Sequence, residues 1–143
     1  RYVHEVIGLN GRIDTIQAAI VGVKLKYFDD EVQKRESIGN RYINLLKDKQ
    51  LKLPVIIEGR TSVFAQFTVQ SDRRERLMQL LKDKDVPSAI HYPTPLHLQK
   101  CYQSLNYKVG DFPISEKAAN EVFSLPMSPF LTEKQQDFIV DLL

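Results

Sequence analysis

At 143 residues, with 43% hydrophobic and 27% charged side chains, the chain has the composition of a globular protein and enough length for one domain with its own core. Its formal net charge of +2 argues against nucleic acid or an anionic membrane as a partner, and a single cysteine, Cys101, excludes an internal disulfide. No apolar run approaches the roughly 20 residues of a membrane-spanning helix. We therefore expect a cytoplasmic protein in which Cys101 is a buried thiol.

The first predicted element is one long helix over residues 13–49. This stretch has no proline, and apolar residues recur along it at helical spacing. Asp14 and Gln17 occupy positions suited to a capping box at its start. Such a helix would measure roughly 50 Å at about 1.5 Å per residue, a length typical of an element that spans two domains or a subunit interface. Gly22 and Gly39 are the candidate bends, because glycine weakens a helix.

A polar, glycine-containing loop, residues 8–12, leads into this helix. Gly11 is suited to be the helix cap, and the start of a helix attracts phosphate. Asn10 adds an amide donor, and Arg12 adds a guanidinium fork that suits a carboxylate or a phosphate. The pattern is short, however, and by spacing alone an ordinary capped turn with a surface arginine is the better explanation.

Residues 62–70, SVFAQFTVQ, alternate in the way typical of a half-buried strand. One face is apolar and is expected to point to the core. It consists of Val63, Ala65, Phe67 and Val69. The other face carries Gln66, Thr68 and Gln70, and the alternation places Phe64 among these polar residues.

The later segments predict helices that alternate with short strands. A helix over 73–85 is expected to be capped by Asp72, and its core-facing residues are predicted to be Leu77, Leu80 and Leu81. A strand over 86–92, a helix over 114–123 and a strand over 124–127 follow. Thr132 and Gln135 form a capping box for the last helix. The whole order predicts an α/β or α+β fold, a small sheet covered by helices.

The segment HYPTPLHLQ, residues 91–99, is the second candidate site. His91 and Tyr92 end a predicted strand, and Pro93 and Pro95 then stiffen the backbone, which favours a preorganised contact. Because side chains alternate along a strand, one of the pair is expected to face a cleft while the other packs. A packed tyrosine beside a partly exposed histidine, without a ligand, is the alternative.

Other combinations of reactive residues predict no chemistry. His91 and His97 are separated by two prolines and lack a cysteine or carboxylate at metal-ligand spacing, so a zinc site is not expected. Cys101 lies near His97 without the surrounding signature of a thiol nucleophile. Asp111 and Glu116 occupy a turn and the first turn of a helix, where structural roles explain both.

Four segments together carry a family resemblance. GLNGRIDTIQAAIVGVKL resembles the G-x-N-x-R-hydrophobic-D-x-hydrophobic-Q-A-A block of the sugar aminotransferases called the DegT/DnrJ/EryC1/StrS family. HYPTPLHLQKCY, GDFPISEKAANEVFSLPMSP and LTEKQQDFIVDLL resemble the C-terminal blocks of that family, in the same order. The resemblance therefore extends over essentially the whole chain.

The resemblance implies the C-terminal domain of a fold-type-I transferase that depends on pyridoxal 5'-phosphate. Residues 1–50 would form an interdomain loop and the long helix, and residues 51–143 the small C-terminal domain. In this family a lysine on the large domain binds the cofactor covalently and moves the proton. The motif around that lysine is absent, so we expect no catalytic residue and no activity in this segment alone, with the large domain missing from the chain.

Motif position also implies individual roles. Asn10 resembles the residue that reaches the cofactor phosphate of the neighbouring subunit in a homodimer with shared active sites. Arg12, His91 and Tyr92 resemble residues that contact the nucleotide-sugar substrate in the partner's site. Arginine and histidine suit the carboxylate of a hexuronate.

The run from SVFAQFTVQ to HYPTPLHLQ is most similar to enzymes that aminate UDP-2-acetamido-2-deoxy-3-keto-glucuronic acid in bacterial surface polysaccharide biosynthesis, including O-antigen. The resemblance implies that reaction, with glutamate as the amino donor. A dTDP-linked 3-keto-6-deoxyhexose is the alternative substrate. If the chain is complete as it stands, the alternative from another class is a non-catalytic dimerisation or interaction module.

Overall fold

The computed structural model describes residues 11–143. Two helices come first, α1 (Thr15–Leu25) and α2 (Phe28–Leu46), followed by strand β1 (Phe67–Gln70) and helix α3 (Arg74–Lys82). Two 3₁₀ segments, Leu96–Leu98 and Lys100–Leu105, lead to α4 (Pro113–Glu121), β2 (Val122–Leu125) and α5 (Glu133–Asp141). The α+β class is as predicted. None of the helices within 11–143 combines the length and apolar character needed to cross a membrane.

The predicted long helix is broken between α1 and α2, and not at either glycine. The amide of Lys26 donates to the carbonyl of Val23 at 3.2 Å and that of Tyr27 to Lys24 at 3.0 Å, so the last turn of α1 tightens and ends. The first turn of α2 carries three consecutive acidic residues, 29–31, which complement the positive end of the new helix. This acidic run was the sequence signal for the second helix start.

The start of α1 carries the predicted capping box, with Asp14 and not Gly11 as the N-cap. The Asp14 carboxylate accepts a hydrogen bond of 2.8 Å from the amide of Ile16, and Gln17 closes the box. No residue of α1 is buried, and its apolar side chains Ile16, Ile20 and Val23 are more than half exposed, as is Ile13 just before the helix. The helix thus stands clear of the core of the described chain.

The sheet is a short antiparallel pair widened by one bridge on each side. Thr68 lies opposite Ser124 in the β1–β2 register, Lys52 bridges to Gln70 on the outer side of β1, and Ala89 bridges to Ser124 on the outer side of β2. The predicted strand over 86–92 is therefore reduced to a single bridge at Ala89. Pro87 within this segment and Pro93 just after it limit the pairing, because proline cannot donate to a ladder, and the chain bends at residue 91.

Phe64 departs most from the predicted pattern. It is buried, whereas Val63, expected in the core, is 46% exposed, and β1 begins only at Phe67. The backbone of Phe64 adopts a positive φ of 41°, its amide donates to the Ser62 hydroxyl at 3.1 Å, and its carbonyl accepts from Arg35 at 3.1 Å. This local turn rotates the ring into the core, where it packs over Gly39.

The core lies between the sheet and α2, α3 and α5. Its fully buried large side chains are Tyr42, Leu46, Phe67, Val69, Leu81, Phe123 and Gln136. The second half of α2 thus shares its core with residues 51–143, and the predicted domain division at residue 50 stays a prediction. The capping box of Thr132 with Gln135 is present at the start of α5.

Two predictions for α3 are wrong. Leu80 is 40% exposed because it falls off the stripe that Leu77 and Leu81 present to the core. Asp72 does not cap the helix, since the hydroxyl of Ser71 accepts the Arg73 amide at 3.1 Å instead. The preceding serine therefore provides the turn that the sequence analysis assigned to the aspartate.

Candidate functional site

A cleft of about 560 Å³ opens beside His91 and Tyr92, between the sheet and α4. We call it the His91 cleft. It is lined by Thr68, His91, Tyr92, Pro93, Thr94, Pro95, Leu96, Gln99, Ser115, Ala118, Ala119 and Val122. Strands β1 and β2 contribute Thr68 and Val122, and most of the polar side chains come from residues 91–99, a segment that Pro93 and Pro95 stiffen.

His91 and Tyr92 both line this cleft, so the expectation that one would pack away from it is wrong. Tyr92 is 71% exposed, while the imidazole of His91 is half-buried and stands nearly edge-on to the tyrosine ring, 5.6 Å from it. Alternation fails here because the chain leaves the sheet after its single bridge at Ala89. The pair therefore presents a ring nitrogen and a phenol to the same space.

His91 is held from behind by a chain of two hydroxyl groups. Its Nδ1 lies 3.0 Å from Oγ of Ser124, which lies 2.9 Å from Oγ1 of Thr68. Thr68 was predicted on the polar face of its strand, whereas Ser124 was not among the predicted site residues. A strand pairing that places Thr68 opposite Ser124 was the missing information.

The other two predicted site residues are not brought to this cleft by the described part of the chain. Arg12 is exposed, does not line the cleft, and has no hydrogen bond or ion pair with any residue in 11–143. Asn10 lies outside the described residues. The start of α1 is the ordinary capped turn that spacing alone favours, with the Asp14 carboxylate accepting hydrogen bonds from its amides. The assignment of Asn10 to the cofactor phosphate stays a prediction.

A second polar cluster, next to the cleft, is structural. One carboxylate, that of Glu116, accepts from the amides of Gly110 at 2.8 Å and Phe112 at 3.3 Å and lies 3.1 Å from Nε2 of His97. The hydrogen bond from Gly110 and the further bonds from Phe112 and His97 lower the pKa of Glu116. Asp111 accepts from the Lys108 amide at 2.8 Å. Both carboxylates thus hold loops, as predicted, whereas Cys101 is exposed and the prediction of a buried thiol is wrong.

Glu116→Gln is expected to lower the thermal stability of the protein at ~pH 7 and to have less effect in acid. Because the folded-state pKa is lowered, the carboxylate contributes stability that is present above its ordinary pKa of 4.5 and is lost as the pH falls through the lower folded value. Thermal unfolding of both proteins across this range measures the difference. Glu58→Gln, in an exposed turn, is the control, and an equal loss in acid and at neutral pH would contradict the assignment.

Comparison with known proteins gives one family and several relatives. The model of the DegT/DnrJ/EryC1/StrS aminotransferase family matches residues 1–143. A pleiotropic regulatory protein of Geobacillus stearothermophilus is 40% identical over 144 residues, 99% of this chain and 39% of the relative. The UDP-2-acetamido-2-deoxy-3-oxo-D-glucuronate aminotransferase of Pseudomonas aeruginosa is 41% identical over 92% of this chain and 36% of its own length.

Another relative is named for a different nucleotide. The dTDP-3-amino-3,6-dideoxy-alpha-D-galactopyranose transaminase of Aneurinibacillus thermoaerophilus is 36% identical over 94% of this chain and 36% of its own length. The crystal structure of a DegT DnrJ EryC1 StrS aminotransferase from Brucella abortus superposes with a TM-score of 0.89 at 40% identity, over 99% of this chain and 38% of that one. The chain thus spans about two fifths of the length of the proteins it matches.

Proposed function

We propose a sugar-amination function on the premise that this chain belongs to the DegT/DnrJ/EryC1/StrS aminotransferase family. The chain is the C-terminal part of an aminotransferase that depends on pyridoxal phosphate and transfers an amino group from glutamate to C3 of a nucleotide-linked keto-sugar. The substrate is UDP-2-acetamido-2-deoxy-3-keto-glucuronic acid. The relative of 41% identity that is named for this uronate supports the choice.

The character of the His91 cleft is the observation that carries the proposal. His91 is the one lining side chain that can become a cation, and no carboxylate lines the cleft in the described part of the chain. Tyr92 and Gln99 add neutral hydrogen-bonding groups. A cleft of donors without negative charge suits an anionic sugar, because a protonated imidazole forms a charge-assisted bond with a carboxylate.

Arg12 supplies the second positive charge in this proposal. Its side chain is exposed. In the proposed arrangement Arg12, like His91 and Tyr92, contacts the sugar in the active site of a partner subunit. The apolar side chains of α1 are exposed in the described chain. They support the proposal that this helix packs against further protein, because burial stabilises an apolar helix face. Asn10 takes the cofactor phosphate in the same arrangement.

The fit of the cofactor to the described residues is only partial. Pyridoxal phosphate, when bound, stabilises the carbanion through which an amino group is transferred. Within residues 11–143 the amides at the start of α1 are taken up by Asp14, so a phosphate there depends on side-chain donors. The described residues therefore contribute binding and orientation of the sugar, and the reacting groups belong to the large domain.

Arg12→Ala in the full-length protein is expected to reduce kcat/KM for the UDP-linked uronate. The expected loss of transition-state stabilisation is ~1.5–3 kcal/mol, because a charge-assisted hydrogen bond to the carboxylate is lost. The loss for the corresponding neutral 3-keto sugar is expected to be much smaller. Arg60→Ala, which removes an exposed arginine from a turn, is the matched control. Equal losses on the charged and neutral sugars would contradict a contact between Arg12 and the carboxylate.

A substrate swap tests the choice of sugar. The relative named for a dTDP-linked amino sugar favours a second candidate, a dTDP-3-keto-6-deoxyhexose. Amination of the dTDP-linked keto-sugar without amination of the UDP-linked uronate would overturn our choice. The intact mass of the natural gene product separates both from a non-catalytic dimerisation module, for which a species near 16.5 kDa is expected.

A further inference from the structure

We propose that Ser124 is a positioning residue for His91, with Thr68 as its outer support. The hydroxyl of Ser124 fixes the orientation of the imidazole so that Nε2 is the ring nitrogen offered to the sugar. This inference rests on the proposed contact between His91 and the substrate. It adds two residues, neither of which needs to touch the sugar, to the machinery that orients it.

The position of Ser124 follows from the way its strand is bonded. Its backbone amide donates to the Ala89 carbonyl at 2.7 Å, and its carbonyl accepts from the Ala89 amide at 3.3 Å. Since both backbone groups point to that side, Ser124 and Thr68 form a non-hydrogen-bonded pair across β1 and β2, the type in which side chains approach most closely. The 2.9 Å contact between the two hydroxyls is the consequence.

The same bridge aims His91 at Ser124. Ala89 lies opposite Ser124, and His91 follows only two residues later, where the chain leaves the sheet still close to the serine. Nδ1 lies 3.0 Å from Oγ of Ser124, which is only 5% exposed. A buried hydroxyl that contacts both a threonine and a histidine at the edge of a cleft is thus preorganised and shielded from competing water.

The chemistry of the hydroxyl pair allows His91 to keep this position in either charge state. A serine hydroxyl has one donor and two acceptor sites. It can donate to Nδ1 of a neutral imidazole while it accepts from Thr68, or accept from Nδ1–H of the imidazolium while it donates to Thr68. Nε2 has no hydrogen-bond partner among residues 11–143, so it stays available for an anionic group on the sugar.

Ser124→Ala in the full-length holoenzyme is the direct test. We expect KM for the UDP-linked keto-uronate to rise ~3–10-fold with little change in kcat, because a bond that orients a binding group is lost. Calorimetry with UDP-2-acetamido-2-deoxyglucuronic acid, which keeps its 3-hydroxyl and is not aminated, is expected to show the same weakening. The ¹⁵N resonance of His91 Nδ1, assigned by comparison with His91→Ala, is expected to shift.

A double-mutant cycle shows whether Ser124 acts through His91. In a His91→Ala background, Ser124→Ala is expected to weaken binding no further, since the group that it positions is absent. Additive losses would overturn the inference. If His91→Ala itself leaves binding unchanged, the proposed substrate contact fails. In that case a shifted Nδ1 resonance in Ser124→Ala, without any change in binding, would show that Ser124 positions His91 although His91 does not contact the substrate.

Two further variants control for a merely structural effect. Ser71 is also 5% exposed, and its hydroxyl accepts the Arg73 amide away from the cleft, so Ser71→Ala is expected to lower stability without raising KM. Thr68→Val removes only the outer hydroxyl and is expected to raise KM about twofold, which keeps the test decisive if Ser124→Ala does not fold. An unchanged Nδ1 resonance in Thr68→Val and in any folded Ser124 variant would overturn the inference.

Discussion

Gly39→Ala is expected to destabilise the full-length protein by ~1–3 kcal/mol, the usual cost of overpacking a core. At an exposed position in a helix, replacing glycine by alanine stabilises the helix by roughly 1 kcal/mol, because glycine is the weaker helix former. Here an added Cβ would lie 2.6 Å from Cγ of Phe64 and nearer still to Cδ2. Phe64 cannot easily withdraw, because its backbone is held by Ser62 and Arg35. Chemical denaturation, followed by a signal from this domain, measures the change.

Gly22→Ala is the matched control for this substitution. Gly22 lies in the middle of α1, which is exposed along its whole length, and a Cβ there meets no atom within 4 Å in the described chain. The ordinary gain of helix propensity, up to ~1 kcal/mol, is therefore expected. If Gly39→Ala stabilises the protein as Gly22→Ala is expected to do, the packing of Phe64 on Gly39 is not as the structure has it.

His91→Ala is expected to raise KM for the UDP-linked keto-uronate ~10–100-fold in the full-length protein, which corresponds to the loss of one hydrogen bond to a charged group. The reason is that His91 is the one potential cation that lines the cleft in the described chain. Because the contact is made to bound substrate and transition state alike, kcat is expected to change little. Steady-state kinetics with purified substrate provide both constants.

His97→Ala is the control that shows whether the rise in KM is specific to the loss of His91 or follows the loss of any histidine. The imidazole of His97 lies 3.1 Å from the Glu116 carboxylate and 4.7 Å from the Phe112 ring, and it does not line the His91 cleft. We expect lower thermal stability with a KM near that of the unmodified protein. A KM that is unchanged in His91→Ala would refute the sugar contact, and with it the role proposed for the cleft.

Local signals in the sequence predicted much of this fold correctly. The capping boxes of Asp14 with Gln17 and of Thr132 with Gln135 are present, because they depend on residues three apart in one helix turn. The same holds for the structural roles of Asp111 and Glu116. The break between α1 and α2 was missed although three acidic residues marked it, since the apolar spacing continued across it.

The candidate site was predictable only in part. His91 and Tyr92 stood out through their motif, and they do line one cleft. Ser124 did not, because its contact with His91 depends on a strand pairing between segments that lie 33 residues apart. Phe64 was placed on the wrong face for a similar reason: a positive φ of 41° interrupts the alternation on which that prediction depended.

The amino-acid sequence by itself determined the family, the capping boxes of α1 and α5, and the choice of His91 and Tyr92 as cleft residues, because these depend on residue type and on neighbours within a few positions. Only the tertiary structure decided that Thr68, Ser124 and His91 form one hydrogen-bonded chain, and that Phe64 covers Gly39. Such contacts join distant segments, and their geometry is set by how strands and helices pack against one core and not by any local pattern.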